Sequence, residues 1–231
     1  MPGVFVTGTD TGVGKTLVSV ALLRAAERQG WESLGLKPIA AGCERVDGEL
    51  LNEDALLLQR YASQRLVYEE VNPIALEPAI APHIAAQEAG VIPTVNQLSQ
   101  HCRPHLEKSN QFVVVEGAGG WRVPLNDKET LADLALALKL PVVLVVGLKL
   151  GCLNHALLSA EAIRRDGLQL AGWVANCGPE PMARLEENIA SLASRLAAPC
   201  LARLPWYGGG LDIDTVAAQL DFAALAEPLA P

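Results

Sequence analysis

The chemistry of this chain concentrates in Gly8-Thr9-Asp10-Thr11-Gly12-Val13-Gly14-Lys15-Thr16, which follows an apolar segment, Val4–Thr7, and opens an amphipathic one. A loop that wraps phosphates must turn backbone N–H groups inward, and Gly12 and Gly14 permit the backbone angles this requires. The positive end of the helix that follows adds attraction for an anion. In such a loop Lys15 bridges the outer phosphates and Thr16 offers its hydroxyl to Mg²⁺. The usual spacing would put the first glycine at Thr9, whereas here it stands one residue earlier, at Gly8. A plain glycine-rich turn with Lys15 merely exposed is the competing reading. A dinucleotide fingerprint is a second rival, and it fails on two counts. Its third glycine would be Leu17, and the second strand ends in Leu36-Lys37, where an acid should hold a ribose.

A triphosphate site also needs carboxylates for its metal. Phe112-Val113-Val114-Val115-Glu116 reads as a buried strand ending in an acid, and Gly117-Ala118-Gly119-Gly120 lets backbone approach a ligand closely. Taken alone, Glu116 could be a solvated strand end; beside a phosphate loop it is a candidate metal or phosphate residue. Asp54, in Asn52-Glu53-Asp54 before Ala55-Leu56-Leu57-Leu58, reads locally as a helix cap or as a ligand. Lys37 closes a strand before Pro38; it is either a surface lysine or, because the carboxyl ends of parallel strands face the ligand crevice, part of the site. His101-Cys102-x-x-His105 has the look of a metal pair, but Pro104 is expected to break the helix that would align the imidazoles.

The elements that must position these residues alternate along the chain. Strands are expected at Val4–Thr7, Ser33–Lys37, Phe112–Glu116, Val142–Val146, Leu170–Ala175 and Cys200–Leu204, with Val- and Leu-rich runs lacking polar alternation, as strands buried on both faces should be. Helices are expected over Leu17–Gln29, stopped by Gly30, and Leu153–Arg165, stopped by Gly167. Strand–helix repetition predicts one α/β domain over residues 1–231, a doubly wound, mainly parallel sheet with helices on both faces. Val71–Pro104 carries five prolines and reads as a long loop with short helices or as a ligand cover. Gly208-Gly209-Gly210 reads as a hinge or turn before a final helix opened by Asp212 or Asp214.

Composition narrows the function classes. Of the 231 residues half are apolar, which excludes a disordered chain; 18 basic against 26 acidic residues give a net charge of −8. That balance argues against sequence-independent nucleic-acid binding, which depends on pairing phosphates with Lys and Arg. No apolar run approaches the length of a membrane span, and the start, Met1-Pro2-Gly3-Val4-Phe5-Val6, reads as a strand rather than a leader. Five widely spaced cysteines (43, 102, 152, 177 and 200) form no Cys-x-x-Cys pair, and a reduced cytoplasm is expected.

Several separate motifs in order resemble the dethiobiotin synthetase family, which has a P-loop NTPase-type fold. They are GTDTGVGKT at 8–16, KPIAAG at 37–42, NEDALLLQR at 52–60, APHIAAQE at 81–88, VEGAGGWRVPL at 115–125, PVVLVVGLKLGCLNHALL at 141–158 and LAGWVAN at 170–176. The likeness covers almost the whole chain and weakens after about Leu211. It implies a ligase that converts 7,8-diaminopelargonate, CO₂ (or bicarbonate) and MgATP into dethiobiotin, ADP and phosphate through a carbamate and a carbamic–phosphoric anhydride. It implies catalysis by Lys37, Lys15 and Thr11, with Gly12, Val13, Gly14, Lys15, Thr16 and Leu17 around the phosphates. Thr16, Asp54 and Glu116 would hold Mg²⁺, and Gly117, Ala118 and Gly119 would adjoin the nucleotide. Asn176, Cys177, Pro205, Trp206 and Tyr207 would meet adenine.

The substrate would lie against Lys37, Ala41, Pro82 and Gly119, completed across a homodimer by Leu150, Gly151, Cys152 and Asn154 of the second copy. Read locally, Asn154 could equally be a helix N-cap and Gly151 a turn residue. The chain departs from the family pattern at Gly12, where some members carry Glu, and at Ala41, where a family Ser contacts substrate. One such hydrogen bond is worth about 0.5–1.5 kcal/mol net. Two other readings are a nucleotide-dependent switch of the partitioning or iron-protein type and a different ATP-dependent amidoligase. The first normally carries a lysine where this chain has Asp10, and the second needs an ammonia source.

Overall fold

The structure, a computed structural model, describes residues 3–208 and 212–226. Six parallel strands form the central sheet: β1 (Gly3–Gly8), β2 (Glu32–Leu36), β7 (Gln111–Glu116), β8 (Val142–Leu148), β9 (Leu170–Cys177) and β10 (Cys200–Leu204). Their spatial order is β10-β9-β8-β1-β7-β2. Four short strands stand outside it. β3 (Ile39–Ala41) and β6 (Ile74–Leu76) pair in parallel, and β4 (Glu44–Val46) and β5 (Glu49–Leu51) form a hairpin.

The helices α1 (Lys15–Arg28), α2 (Glu53–Tyr61) and α9 (Ile213–Ala217) pack on one face of the sheet. Those of α4 (Pro82–Glu88), α5 (Val95–Leu106), α6 (Leu131–Leu138), α7 (Cys152–Arg165) and α8 (Leu185–Arg195) pack on the other. Short helices α3 (Tyr68–Val71) and α10 (Ala223–Ala226) complete the described secondary structure.

Two hydrophobic clusters, one per face, follow from the two-residue period of the strands. Val4 and Val6 of β1, Phe112 and Val114 of β7, and Val143 and Val145 of β8 join α1 and α2. The intervening Phe5, Val113, Val115, Val142, Leu144 and Val146 join α5 to α8. Each such side chain contributes about 1.5–3 kcal/mol by leaving water, so sliding a strand by one residue would cost both faces at once. β1 therefore sits at the centre, with β7 and β8 on either side. The chain passes from one flank of β1 to the other between them, leaving a crevice beyond the strand carboxyl ends, where ligands bind in sheets of this type.

The structure corrects one expectation at this level and decides others. The helix α5 runs through Pro104, which lies in its last turn, where a missing N–H costs one hydrogen bond and no continuation. His101 and His105 are therefore neighbours on one helix, 6.3 Å apart, with His101 Nε2 engaged by the carbonyl of Glu70. The Val71–Pro104 stretch is ordered as α3's end, β6, α4 and most of α5. Asp212 rather than Asp214 caps α9, its side chain accepting from the Asp214 N–H. Gly209 and Gly210 of the expected hinge, like Met1 and Pro2 of the expected first strand, lie outside the described residues.

Candidate active site

The phosphate loop leaves β1 at Gly8 and re-enters helix at Lys15. Gly14 is the N-cap of α1 with φ +87°, and Gly12 has φ +71°, both in the left-handed region where a side chain is strained. A Cβ on Gly14 would lie 2.3 Å from Asn176 Nδ2, so that position has neither the backbone freedom nor the room for a larger residue. Asn176 Nδ2 donates to the Val13 carbonyl at 2.8 Å, tying the end of β9 to the loop, while its Oδ1 is buried without a partner. Lys15 is buried and donates to the Asp10 carbonyl at 3.2 Å. Burial, helped by the neighbouring Lys37 charge, lowers its pKa.

Beside the loop, the ends of β2 and β7 and the start of α2 bring together a lysine and two acids. Lys37 Nζ lies 2.6 Å from Glu116 Oε1, 3.1 Å from Asp54 Oδ2 and 3.1 Å from the Gly117 carbonyl. Three acceptors thus take the three protons of an ammonium whose side chain is 4% exposed. Burial works to discharge Lys37, but the Glu116 and Asp54 carboxylates overcome it and raise its pKa. Asp54 is held below the ordinary carboxylate range: burial opposes this, and the Lys37 charge and Thr16 hydroxyl prevail. Thr16 Oγ1 donates to Glu116 Oε1 at 3.1 Å, and the other oxygen, Oε2, is buried with no partner. A hydroxyl, a carboxylate with an unclaimed buried oxygen and a second carboxylate are hard oxygen donors of the kind Mg²⁺ takes, so the donor set fits that ion.

Two clefts meet across the loop, sharing Thr11, Gly12 and Gly14. One, of about 420 Å³, is lined by Leu17, Asn176, Cys177, Pro205, Trp206 and Tyr207, and also by Lys149 and Pro179. The other, of about 740 Å³, has Lys15, Thr16, Lys37 and Asp54 on one wall and a mainly apolar wall of Ala40, Ala41, Ala79, Ile80, Pro82 and Val123 opposite. A polyanion held by the loop would have its outer end beside Lys37.

Comparison with known proteins agrees with this geometry. A family described as an AAA domain matches residues 2–209. The ATP-dependent dethiobiotin synthetase BioD of Cellvibrio japonicus is 56% identical over 223 residues, 96% of this chain and 97% of that protein. The Pseudomonas paraeruginosa protein of the same name is 55% identical over 97% of this chain and 98% of its own length, and that of Alteromonas mediterranea 48% over 94% and 97%. The chain belongs to the dethiobiotin synthetase family. Among solved structures, chloroplast FtsY from Physcomitrella patens superposes with a TM-score of 0.50 at 19% identity, covering 99% of this chain and 65% of that one; it bears on the fold alone.

Within this family member most of the residues picked out by motif converge on the two clefts. Glu116 and Gly117 form the floor where Lys37 is anchored, Ala118 and Gly119 line the larger cleft, and Trp206, more than half exposed, lines the smaller. Asp54 is not the cap of α2. Asn52 is, accepting from the Ala55 N–H at 3.2 Å, which frees the Asp54 carboxylate for Lys37. Asn154 is not a cap either, because Gly151 precedes α7 with φ +95° and Asn154 lies inside the first turn, exposed. Leu150 and Gly151 are exposed and line neither cleft within one chain, and the Cys152 side chain is buried in the core, leaving only its backbone for a ligand.

Sequence reasoning missed the apolar wall at Ala79 and Ile80, whose type carries no chemical signal. It also missed Lys149, which its place just past the end of β8, at the crevice, could have revealed.

Proposed function

We propose that the chain joins CO₂ to the two amines of 7,8-diaminopelargonate at the expense of ATP, giving dethiobiotin, ADP and phosphate, as one folded unit that works in the cytoplasm. What carries the reading is the near full-length identity to relatives named for this ligase, and the larger cleft supplies the chemistry. One amine takes up CO₂ as a carbamate and loses a proton. A carbamate oxygen then attacks the terminal phosphorus of ATP, and ADP leaves. The second amine attacks the carbonyl carbon, closes the ring, expels phosphate and gives up a proton. No protein nucleophile is required. The demand is for fixed positive charge where carbamate, transferring phosphoryl group and ADP crowd together.

Lys15, poised at the loop, would hold the outer phosphates, with Thr11 and the backbone of Gly12 to Leu17 around them. Lys37 would stabilise the carbamate by exchanging one of its three present acceptors for a carbamate oxygen. Thr16, Asp54 and Glu116 would hold Mg²⁺, which supplies neutralising charge for the phosphates. Gly119, Ala41 and Pro82 would border the substrate, and adenine would enter the smaller cleft against Asn176, Cys177, Pro205, Trp206 and Tyr207. The exposed Leu150, Gly151 and Asn154, together with the Cys152 backbone, would complete the substrate site of a second copy in a homodimer. Among the described residues no helix is long and apolar enough to cross a membrane.

The test is an assay with labelled bicarbonate, ATP, Mg²⁺ and the diamine. Acid-stable label in a cyclic urea, formed in step with ADP, is the expected result. ADP released without it, at a rate indifferent to the diamine, would favour the nucleotide switch instead.

A further inference from the structure

The phosphate loop is fastened to the far side of the crevice by three consecutive contacts. The Thr9 N–H donates to the Val145 carbonyl at 2.9 Å, the Gly147 N–H donates to Thr9 Oγ1 at 3.3 Å, and Lys149 Nζ meets Asp10 Oδ2 at 2.8 Å. The first two are neutral and backbone-derived. The third is different in kind, because Asp10 places a carboxylate inside a loop whose business, on the function proposed above, is to receive a polyanion. That carboxylate is pinned on both sides: Oδ1 accepts from the Thr11 N–H at 2.8 Å while Oδ2 faces Lys149. Its own carbonyl accepts from Lys15. Asp10 is thus built into the loop's hydrogen bonding. Unpaired, its charge would repel the phosphates of a nucleotide held by the same loop.

We infer that Lys149 is a positioning residue for nucleotide binding, acting through Asp10: it cancels and orients the carboxylate at the loop so that the loop can accept the triphosphate. Lys149 comes from the end of β8, at the border of the smaller cleft, and its side chain is about half exposed, so the pair is worth little to folding. Its value is to the ligand. The inference rests on the reading of the loop as an ATP site, and it makes a prediction that a direct phosphate-binding lysine would not. A lysine that touches phosphate is missed whether or not Asp10 is charged. A lysine that cancels Asp10 is missed only while Asp10 is charged.

The experiment is calorimetric titration of the full chain with a non-hydrolysable ATP analogue and Mg²⁺, run on the wild type, Lys149→Met, Asp10→Asn and the double variant at low and at 0.5 M salt. Lys149→Met is expected to bind about tenfold more weakly at low salt, the scale of one unscreened charge. The double variant should return to within about threefold of wild type, and high salt should narrow the gap between Lys149→Met and wild type. A double variant as weak as Lys149→Met, or a Lys149→Met that binds like wild type, overturns the inference. Unchanged melting temperatures across the set separate a charge effect from loss of fold, and an unfolded Lys149→Met would assign the residue to structure and overturn it too. A wild type that binds no nucleotide would instead overturn the reading of the loop itself.

Discussion

Lys37 is a buried cation. Its ammonium is fully donated to Glu116, Asp54 and the Gly117 carbonyl at the edge of the larger cleft, so its charge is fixed in place before any substrate arrives. Preorganised charge of this kind is worth most where charge develops. Lys37→Ala is expected to lower kcat by roughly 10²–10³, measured by steady-state formation of the cyclic urea; near-normal turnover would remove Lys37 from the mechanism. Asp54 makes the complementary statement about stability. Its pKa is lowered on folding, so the ionised form stabilises the native state above the unfolded value of about 3.9, and this contribution disappears as pH falls through the lower folded value. Melting temperature followed from pH 5 down to pH 2 should therefore fall less steeply in Asp54→Asn than in wild type. An identical slope would mean that the Lys37 contact does not hold the carboxylate down.

Elements decide whether those residues meet. The central strands β1, β7 and β8 were legible because short Val-rich runs without polar alternation suit strands buried on both faces, and the loop was legible because Gly12 and Gly14 suit a phosphate turn between a strand and a helix. The β4–β5 hairpin was missed although its turn, Asp47-Gly48, has positive φ at both residues and is a known hairpin signal. Its strands were too short and too polar to register as periodic. Read locally, Asp54 stays open between cap and ligand, because two acids and an asparagine compete for the cap in three residues, and only the fold shows that Asn52 takes it. The acid–lysine pairing across 79 positions of chain, Lys37 to Glu116, has no local signature at all; it exists because β2 and β7 are adjacent in the sheet. Gly14→Ala places a Cβ in a left-handed residue and against Asn176, at a cost of about 1–3 kcal/mol. For a chain of this size about 2–4 °C of melting temperature is lost per kcal/mol, and nucleotide binding should fall with it. A variant that keeps both would show that the loop relaxes elsewhere.

For the whole molecule, the proposed roles of the two clefts leave part of the chain's surface without one. Leu150 is 96% exposed and Leu158, two turns further on, is 57% exposed. Leu150 lies just before α7, in the segment expected to meet a second copy, and Leu158 lies midway along that helix; large apolar side chains exposed in such positions are what a partner would cover. Leu158→Asp should shift the sedimentation of the protein from dimer toward monomer at micromolar concentration and raise KM for the diamine. A wild type that sediments as a monomer with full activity would end the shared-site proposal.

On the proposed reading the phosphate loop delivers the reacting end of ATP to the lysine buried at the ends of β2 and β7. The decisive measurement is a crystal structure with a non-hydrolysable ATP analogue, Mg²⁺ and the diamine. The terminal phosphate is expected between Lys15 and Lys37, with adenine in the cleft bordered by Asn176 and Trp206. A triphosphate tail lying away from both lysines would contradict the account.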